Sequence, residues 1–152
     1  IYCQKEKGLC INAYVIMSNH IHLVCHVKEP FLLSDVIRDF KKFTSKAILD
    51  FMLMSDIESR KEWMVRLFKY YAKYNKNNKD YQFWQHHNMP IELESPKWIK
   101  QKLDYIHLNP VRNGIVLEAE DYVYSSARTY AGRSGYIDIE KIELDNIVGY
   151  VS

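Results

Sequence analysis

The stretch that most constrains this chain is Tyr14-Val-Ile-Met-Ser-Asn-His-Ile-His-Leu-Val-Cys-His-Val27. Its Val, Ile, Leu and Tyr content and its alternation predict a β-strand over residues 13–27, closed by Pro30. Yet it carries His20, His22 and His26. Side chains two apart on a strand share a face, so His20 and His22 point the same way, with Cα atoms roughly 6.6 Å apart. Two imidazoles at that spacing can converge on one divalent ion, while Ile21, Leu23 and Cys25 are expected to enter the core from the other face. By itself the pair is a weak signal, and two neutral histidines hydrogen-bonded to loops or water would leave the same pattern. His26 has the same parity but sits near the strand end and reads as peripheral.

Hydrophobic periodicity organises the rest. Ser34 can cap a helix over residues 35–52, with Val36, Ile37, Phe40, Phe43, Ala47, Ile48 and Phe51 as its apolar stripe. Arg38, Lys41, Lys42 and Lys46 lie mostly off that stripe, as a solvated face or as a guide for a phosphate backbone. A second helix is expected over 57–74, burying Trp63, Met64, Leu67, Phe68 and Tyr71. Residues 75–80 read as a loop, and 81–87 and 89–93 as short strands. His86 and His87 are adjacent, so on a strand they face opposite sides and cannot chelate together; they read as structural. Ser95-Pro96 opens a third helix, with Trp98, Ile99, Leu103 and Ile106 as its repeat. Pro110 should end it near Asn109. Residues 121–132 read as irregular or a short helix, and 136–139 as a terminal strand. The mixture predicts an α+β sandwich, a mostly antiparallel sheet with helices packed on it.

The third helix carries a second constellation. Tyr105 and Asn109 are four apart, hence on one helical face. Tyrosine offers an oxygen nucleophile, and asparagine a carbonyl oxygen that can ligate a metal or orient a phosphate. Without other context the spacing favours the plainer reading, in which Tyr105 is a core aromatic and Asn109 a helix-end residue beside a proline. His107 lies about 200° around the helix from Tyr105 and should face elsewhere. Arg112, just past the helix, is within reach of a phosphate.

Composition adds bounds. The chain has 152 residues, 47% of them hydrophobic, enough for one domain with a real core. Twenty-one basic against nineteen acidic residues give +2, so a nucleic-acid surface must come from local clustering. Twelve tyrosines suit faces on which bases stack. Cys3, Cys10 and Cys25 are odd in number and lack metal-type spacing, which reads as reduced thiols in a cytoplasmic protein. No apolar run approaches the roughly 20 residues of a membrane helix.

Residues 17–24, MSNHIHLV, resemble the histidine–hydrophobic–histidine (HUH) motif of the IS200/IS605-like Y1 transposases. Residues 105–116, YIHLNPVRNGIV, resemble the tyrosine helix of their REP-associated branch. FKKFTSKAI at 40–48, FWQ at 83–85 and DYVYSSA at 121–127 are similar to that branch in the same order. The resemblance spans roughly residues 12–132. It implies a ferredoxin-like sandwich in a single domain, with His20, His22 and Asn109 holding Mg²⁺ or Mn²⁺ and Tyr105 as the nucleophile. It further implies cleavage and rejoining of single-stranded DNA beside a hairpin, through a 5′-phosphotyrosine. Arg38, Lys41, Lys42, Lys46 and Arg112 are the candidate DNA contacts. A homodimer is compatible, since family members differ in whether the tyrosine serves its own metal site or a partner's. The family has a strand and loop before the position of Ala13, where this sequence has twelve residues, so part of the N-terminal strand region is expected to be missing. Two rival readings stay open: a non-catalytic module for single-stranded nucleic acid, and a metal phosphoesterase that uses water.

Overall fold

Strand propensity fills residues 9–27, but the backbone reverses in the middle of it. In the computed structural model, the run expected as one strand is a hairpin: β1 (Leu9–Ile16) pairs antiparallel with β2 (Ile21–Val27). Met-Ser-Asn-His makes the connection, closed by the Met17 N–H donating to the His20 carbonyl at 2.9 Å. Polar Ser18 and Asn19 at its tip tolerate turn geometry, which the flanking β-branched residues do not. His20 therefore sits at the hairpin turn and His22 on β2, whereas one strand was expected to carry both.

The structure describes residues 1–55, 57–74, 80–86, 88 and 90–143. Its elements, in order, are helix α1 (Tyr2–Glu6), β1, β2, α2 (Leu33–Met54), α3 (Lys61–Lys73), α4 (Pro96–Arg112), a 3₁₀ turn (Ala119–Asp121) and α5 (Ala127–Tyr130). The class is α+β, with a two-stranded antiparallel sheet among the described residues. The chain divides into two compact units, one of residues 1–33 and 91–152, the other of residues 34–90.

In the first unit the strand that disappears into the core is β1, not the histidine strand. Ala13, Tyr14 and Val15 are at most 1% exposed, whereas β2 is half-buried. The reason lies on the open edge of β1. Val15 bridges to Ser125, the Ile16 N–H donates to the Tyr124 carbonyl at 2.9 Å, and the Ser126 N–H donates to the Tyr14 carbonyl at 2.9 Å. The Ser126 hydroxyl accepts from the Tyr14 N–H at 2.8 Å, and the Tyr122 hydroxyl donates to the Ile16 carbonyl at 2.8 Å. The DYVYSSA segment thus pairs the edge of β1 without being a regular strand, and so meets its backbone hydrogen-bonding demand.

Ile21, Leu23 and Cys25, expected to face the core, are half-buried opposite Ile16, Tyr14 and Ile11, but the other face of β2 is covered too. Val24, of the same parity as His22, packs against Val15, Met17 and Ile106 together with Tyr122. The histidine face is the one that receives α4, which packs on both strands. Helix α4 begins as read: the Ser95 hydroxyl caps it by accepting from the Trp98 N–H at 3.3 Å. Leu103 and Ile106 are buried as expected, while Trp98 is exposed. The helix does not stop at Asn109 but runs through Pro110 to Arg112. Pro110 forfeits one hydrogen bond, but its ring is fully buried. The Asn113, Gly114 and Ile115 N–H groups then close on the carbonyls of Asn109, Val111 and Pro110, with Gly114 at φ +66°. No strand forms over 136–139, although the Glu140 N–H donates to the Ile11 carbonyl.

In the second unit α2 is longer than expected at both ends, and Ser34 lies inside its first turn. Val36, Leu49 and Met52 are its buried residues, while Phe43, Ile48 and Phe51 are exposed. Helix α3 starts at Lys61, with Ala72 buried, Met64, Leu67 and Phe68 half-buried, and Trp63 and Tyr71 exposed. Residues 81–86 are irregular; the Trp84 indole donates to the Thr44 hydroxyl at 3.0 Å and its ring lies 6.1 Å from that of Phe40. A folded-back aromatic segment, fixed by side chains, stands where a strand was expected. Within 90–93, too, there is no strand. The readings at 75–79, His87 and Met89 lie outside the described residues.

Candidate active site

Three rings gather where the hairpin turn meets α4. The His20 and His22 centroids are 4.8 Å apart, edge to face at 66°. The Tyr105 ring lies 5.3 Å from His22 at 71°. Tyr105 is brought there by helical spacing: its neighbour Ile106 is buried against Val15 and Met17, which turns Tyr105 toward the rim, 42% exposed. The alternative of a core aromatic is therefore set aside, since the phenol is reachable from solvent.

Each imidazole is conditioned by its surroundings. His20 Nδ1 is 2.6 Å from the Asn19 Oδ1. With that amide oxygen accepting, Nδ1 carries the proton and Nε2 keeps a free lone pair. Burial, then the neighbouring His20 and the Lys102 ammonium, hold the His22 pKa below the usual histidine value. All three causes favour the neutral imidazole, the form that can ligate a metal. The donor chemistry of the pair therefore fits a divalent transition ion.

Two cations flank the phenol. The Lys102 Nζ is 5.8 Å and the Arg112 Cζ 5.6 Å from the Tyr105 ring centroid. Lys102 precedes Tyr105 by three residues and Arg112 follows by seven, so both share its helical face. Extension of α4 through Pro110 puts Arg112 on that face. Sequence reading selected Arg112 but passed over Lys102 and Asn19; the i−3 spacing to Tyr105 was the available signal for Lys102.

Asn109 lies one turn beyond Tyr105, buried, with its Oδ1 accepting from the Asn113 amide at 3.0 Å. An amide oxygen has a second lone pair, so this bond leaves it one acceptor position. His107 faces away, as expected: its Nε2 is 2.8 Å from the Ser126 hydroxyl, and burial lowers its pKa, opposed by Asp104. It helps tie α4 to the segment that flanks β1.

The other basic candidates belong to the second unit. Arg38 is engaged by Asp35 at 2.6 Å and Asp39 at 3.4 Å. Lys41 donates to the Gln85 carbonyl at 2.6 Å, and partial burial lowers its pKa. Lys42 and Lys46 are exposed on α2. Among the described residues, no helix is long and apolar enough to cross a membrane.

Comparison with known proteins agrees with the histidine hairpin. No curated protein and no solved structure matches the chain. The family model described as "Transposase IS200 like" matches residues 2–68, a stretch that contains the hairpin with His20 and His22 and ends before Tyr105. Over these residues, less than half of the chain, it is similar to the IS200-like transposase family.

Proposed function

We propose that this protein is a metal-dependent tyrosine transposase of the REP-associated kind, which cleaves and rejoins single-stranded DNA next to hairpins. The observation that carries the reading is the contact of Tyr105 with His22, 5.3 Å between centroids, in a chain whose histidine hairpin matches the IS200-like family. A phenol from residue 105 has no packing need to meet two imidazoles from residues 20 and 22 at a solvent-facing rim. The ferredoxin-like arrangement implied by the resemblance belongs to this proposal.

The Tyr105 hydroxyl attacks a backbone phosphorus in line. A bond from phenolic oxygen to phosphorus forms, the bond to the 3′ oxygen breaks, and the phenolic proton ends on the released 3′-hydroxyl after transfer through solvent. One phosphodiester replaces another, so the reverse attack rejoins strands without ATP. His20 and His22, with Asn109, are the residues that would hold Mg²⁺ or Mn²⁺, which when bound offsets charge developing on the phosphate. Lys102 and Arg112 draw the phosphate toward the phenol and stabilise negative charge over its ring. Lys41, Lys42 and Lys46, with Arg38, are candidates to guide the DNA backbone. A flexible single strand can bring a phosphate to this rim more readily than a stiff duplex.

The test is incubation with hairpin-bearing oligonucleotides and Mn²⁺, followed by a denaturing gel. A protein–DNA adduct is expected with the wild type. Tyr105→Phe should lose adduct and cleavage by at least about 10³-fold while still binding DNA. Cleavage without adduct would mean that water is the nucleophile; binding with neither would leave a binding module.

A further inference from the structure

Away from the tyrosine rim, Cys10, His26 and Glu140 bring a sulfur, a nitrogen and an oxygen within 4.8 Å of one another. They are far apart in sequence, and backbone pairing assembles them. Cys10 and His26 are directly opposed across β1 and β2. Glu140 is fixed by its N–H donating to the Ile11 carbonyl at 2.9 Å and by its own carbonyl accepting from the Asn12 amide at 2.8 Å. Asn12 is available for this because the register slips between Ile11 and Ala13 and leaves it as the extra residue of a bulge.

The same asparagine sets the histidine tautomer. Since its nitrogen donates to Glu140, its Oδ1 is the acceptor that lies 3.1 Å from His26 Nδ1. Nδ1 then carries the proton, and Nε2 faces the Glu140 Oε2, 4.0 Å away, with its lone pair free. Lys28 occupies only the other carboxylate oxygen, Oε1, at 3.2 Å. Cys10 and Glu140 also line a cavity of about 190 Å³, which leaves room for a water ligand.

We infer that Cys10, His26 and Glu140 form a second metal site, selective for a borderline-soft divalent cation of the Zn²⁺ class and separate from the histidine pair at the hairpin turn. Tetrahedral Zn²⁺, with bonds of about 2.0–2.3 Å, sets its ligand atoms roughly 3.5 Å apart, so these three need to close by only about 1 Å. Thiolate, imidazole and carboxylate supply three positions and water the fourth. Burial and the Glu140 charge keep the Cys10 thiol protonated in the absence of a cation. Binding therefore replaces the S–H bond by an S–metal bond and releases one proton, with no redox change. The site would clasp residues 138–142 to β1. It does not depend on the transposase reading.

Co²⁺ is the probe, titrated into the full chain under reducing conditions. A thiolate-to-cobalt charge-transfer band at one equivalent is expected, with Zn²⁺ displacing it. The band should persist in Cys25→Ser and in His20→Ala/His22→Ala, vanish in Cys10→Ser, and need at least tenfold more Co²⁺ in Glu140→Gln. Because Cys10→Ser can unfold the strand, wild-type protein is also alkylated with and without Zn²⁺. Cys10 should be protected and Cys3 not. Absence of the band, its survival in Cys10→Ser, or equal alkylation of Cys10 with and without Zn²⁺ would overturn the site.

Discussion

At the scale of single residues, the candidate active site sets His20, and a His22 whose surroundings favour the neutral ring, beside an accessible phenol. The lowered His22 and His107 pKa values have a consequence for stability. Both bind protons less readily in the native chain than in the unfolded one, whose histidines titrate near pH 6.5. Between that value and the lower native values the unfolded state holds more protons, so stability falls as pH falls. Chemical denaturation at pH 7.5 and 5.5 should give the lower midpoint at pH 5.5, and His107→Gln should reduce the difference. Asn19 orients His20, so Asn19→Ala should weaken Mn²⁺ binding by about 10–100-fold without removing a ligand. Lys102 and Arg112 act on the phenol from its own helix. Replacing either with alanine should cost about 0.5–1 kcal/mol of transition-state stabilisation, read from kcat/KM for cleavage.

At the scale of elements, α4 matters most, because one helix carries Tyr105, Asn109 and Arg112 and packs on both strands. Its start rests on Ser95, whose replacement by alanine should cost about 1 kcal/mol in a denaturation experiment. Its seating rests on Ile106, buried between Val15 and Met17. Ile106→Ala should cost about 2–5 kcal/mol. It should also slow cleavage more than it weakens DNA binding, because Tyr105 is the next residue along the helix. The proline at 110 read as a stop, since proline disfavours helical geometry before it. That preference is overridden where the ring is fully buried and Gly114 closes the turn one residue past the cap.

At the scale of the whole molecule, a net charge of +2 gives little general attraction for DNA, so the proposed function requires affinity from a few local contacts. Salt titration of binding to a single strand should lose about 0.7 of log–log slope for each phosphate contact removed, and Lys42→Ala and Lys46→Ala are the variants to measure. What the sequence by itself determined is local: the Ser95 cap, the shared face of Tyr105 and Asn109, and the opposite direction of His107. Each depends on spacing along one element, which backbone geometry fixes without reference to the rest of the chain. Three other features were decided only by tertiary structure. The run expected as one strand is a hairpin because its two halves pair with each other, and strand periodicity does not say where a run folds back. Tyr105 met His22 because Ile106, not Tyr105, won the buried position against Val15. Cys10, His26 and Glu140, with no spacing signal between them, came together through strand register and the bulge at Asn12. Contacts between residues distant in sequence depend on which faces pack and which backbone edges need partners, and periodicity carries no record of either.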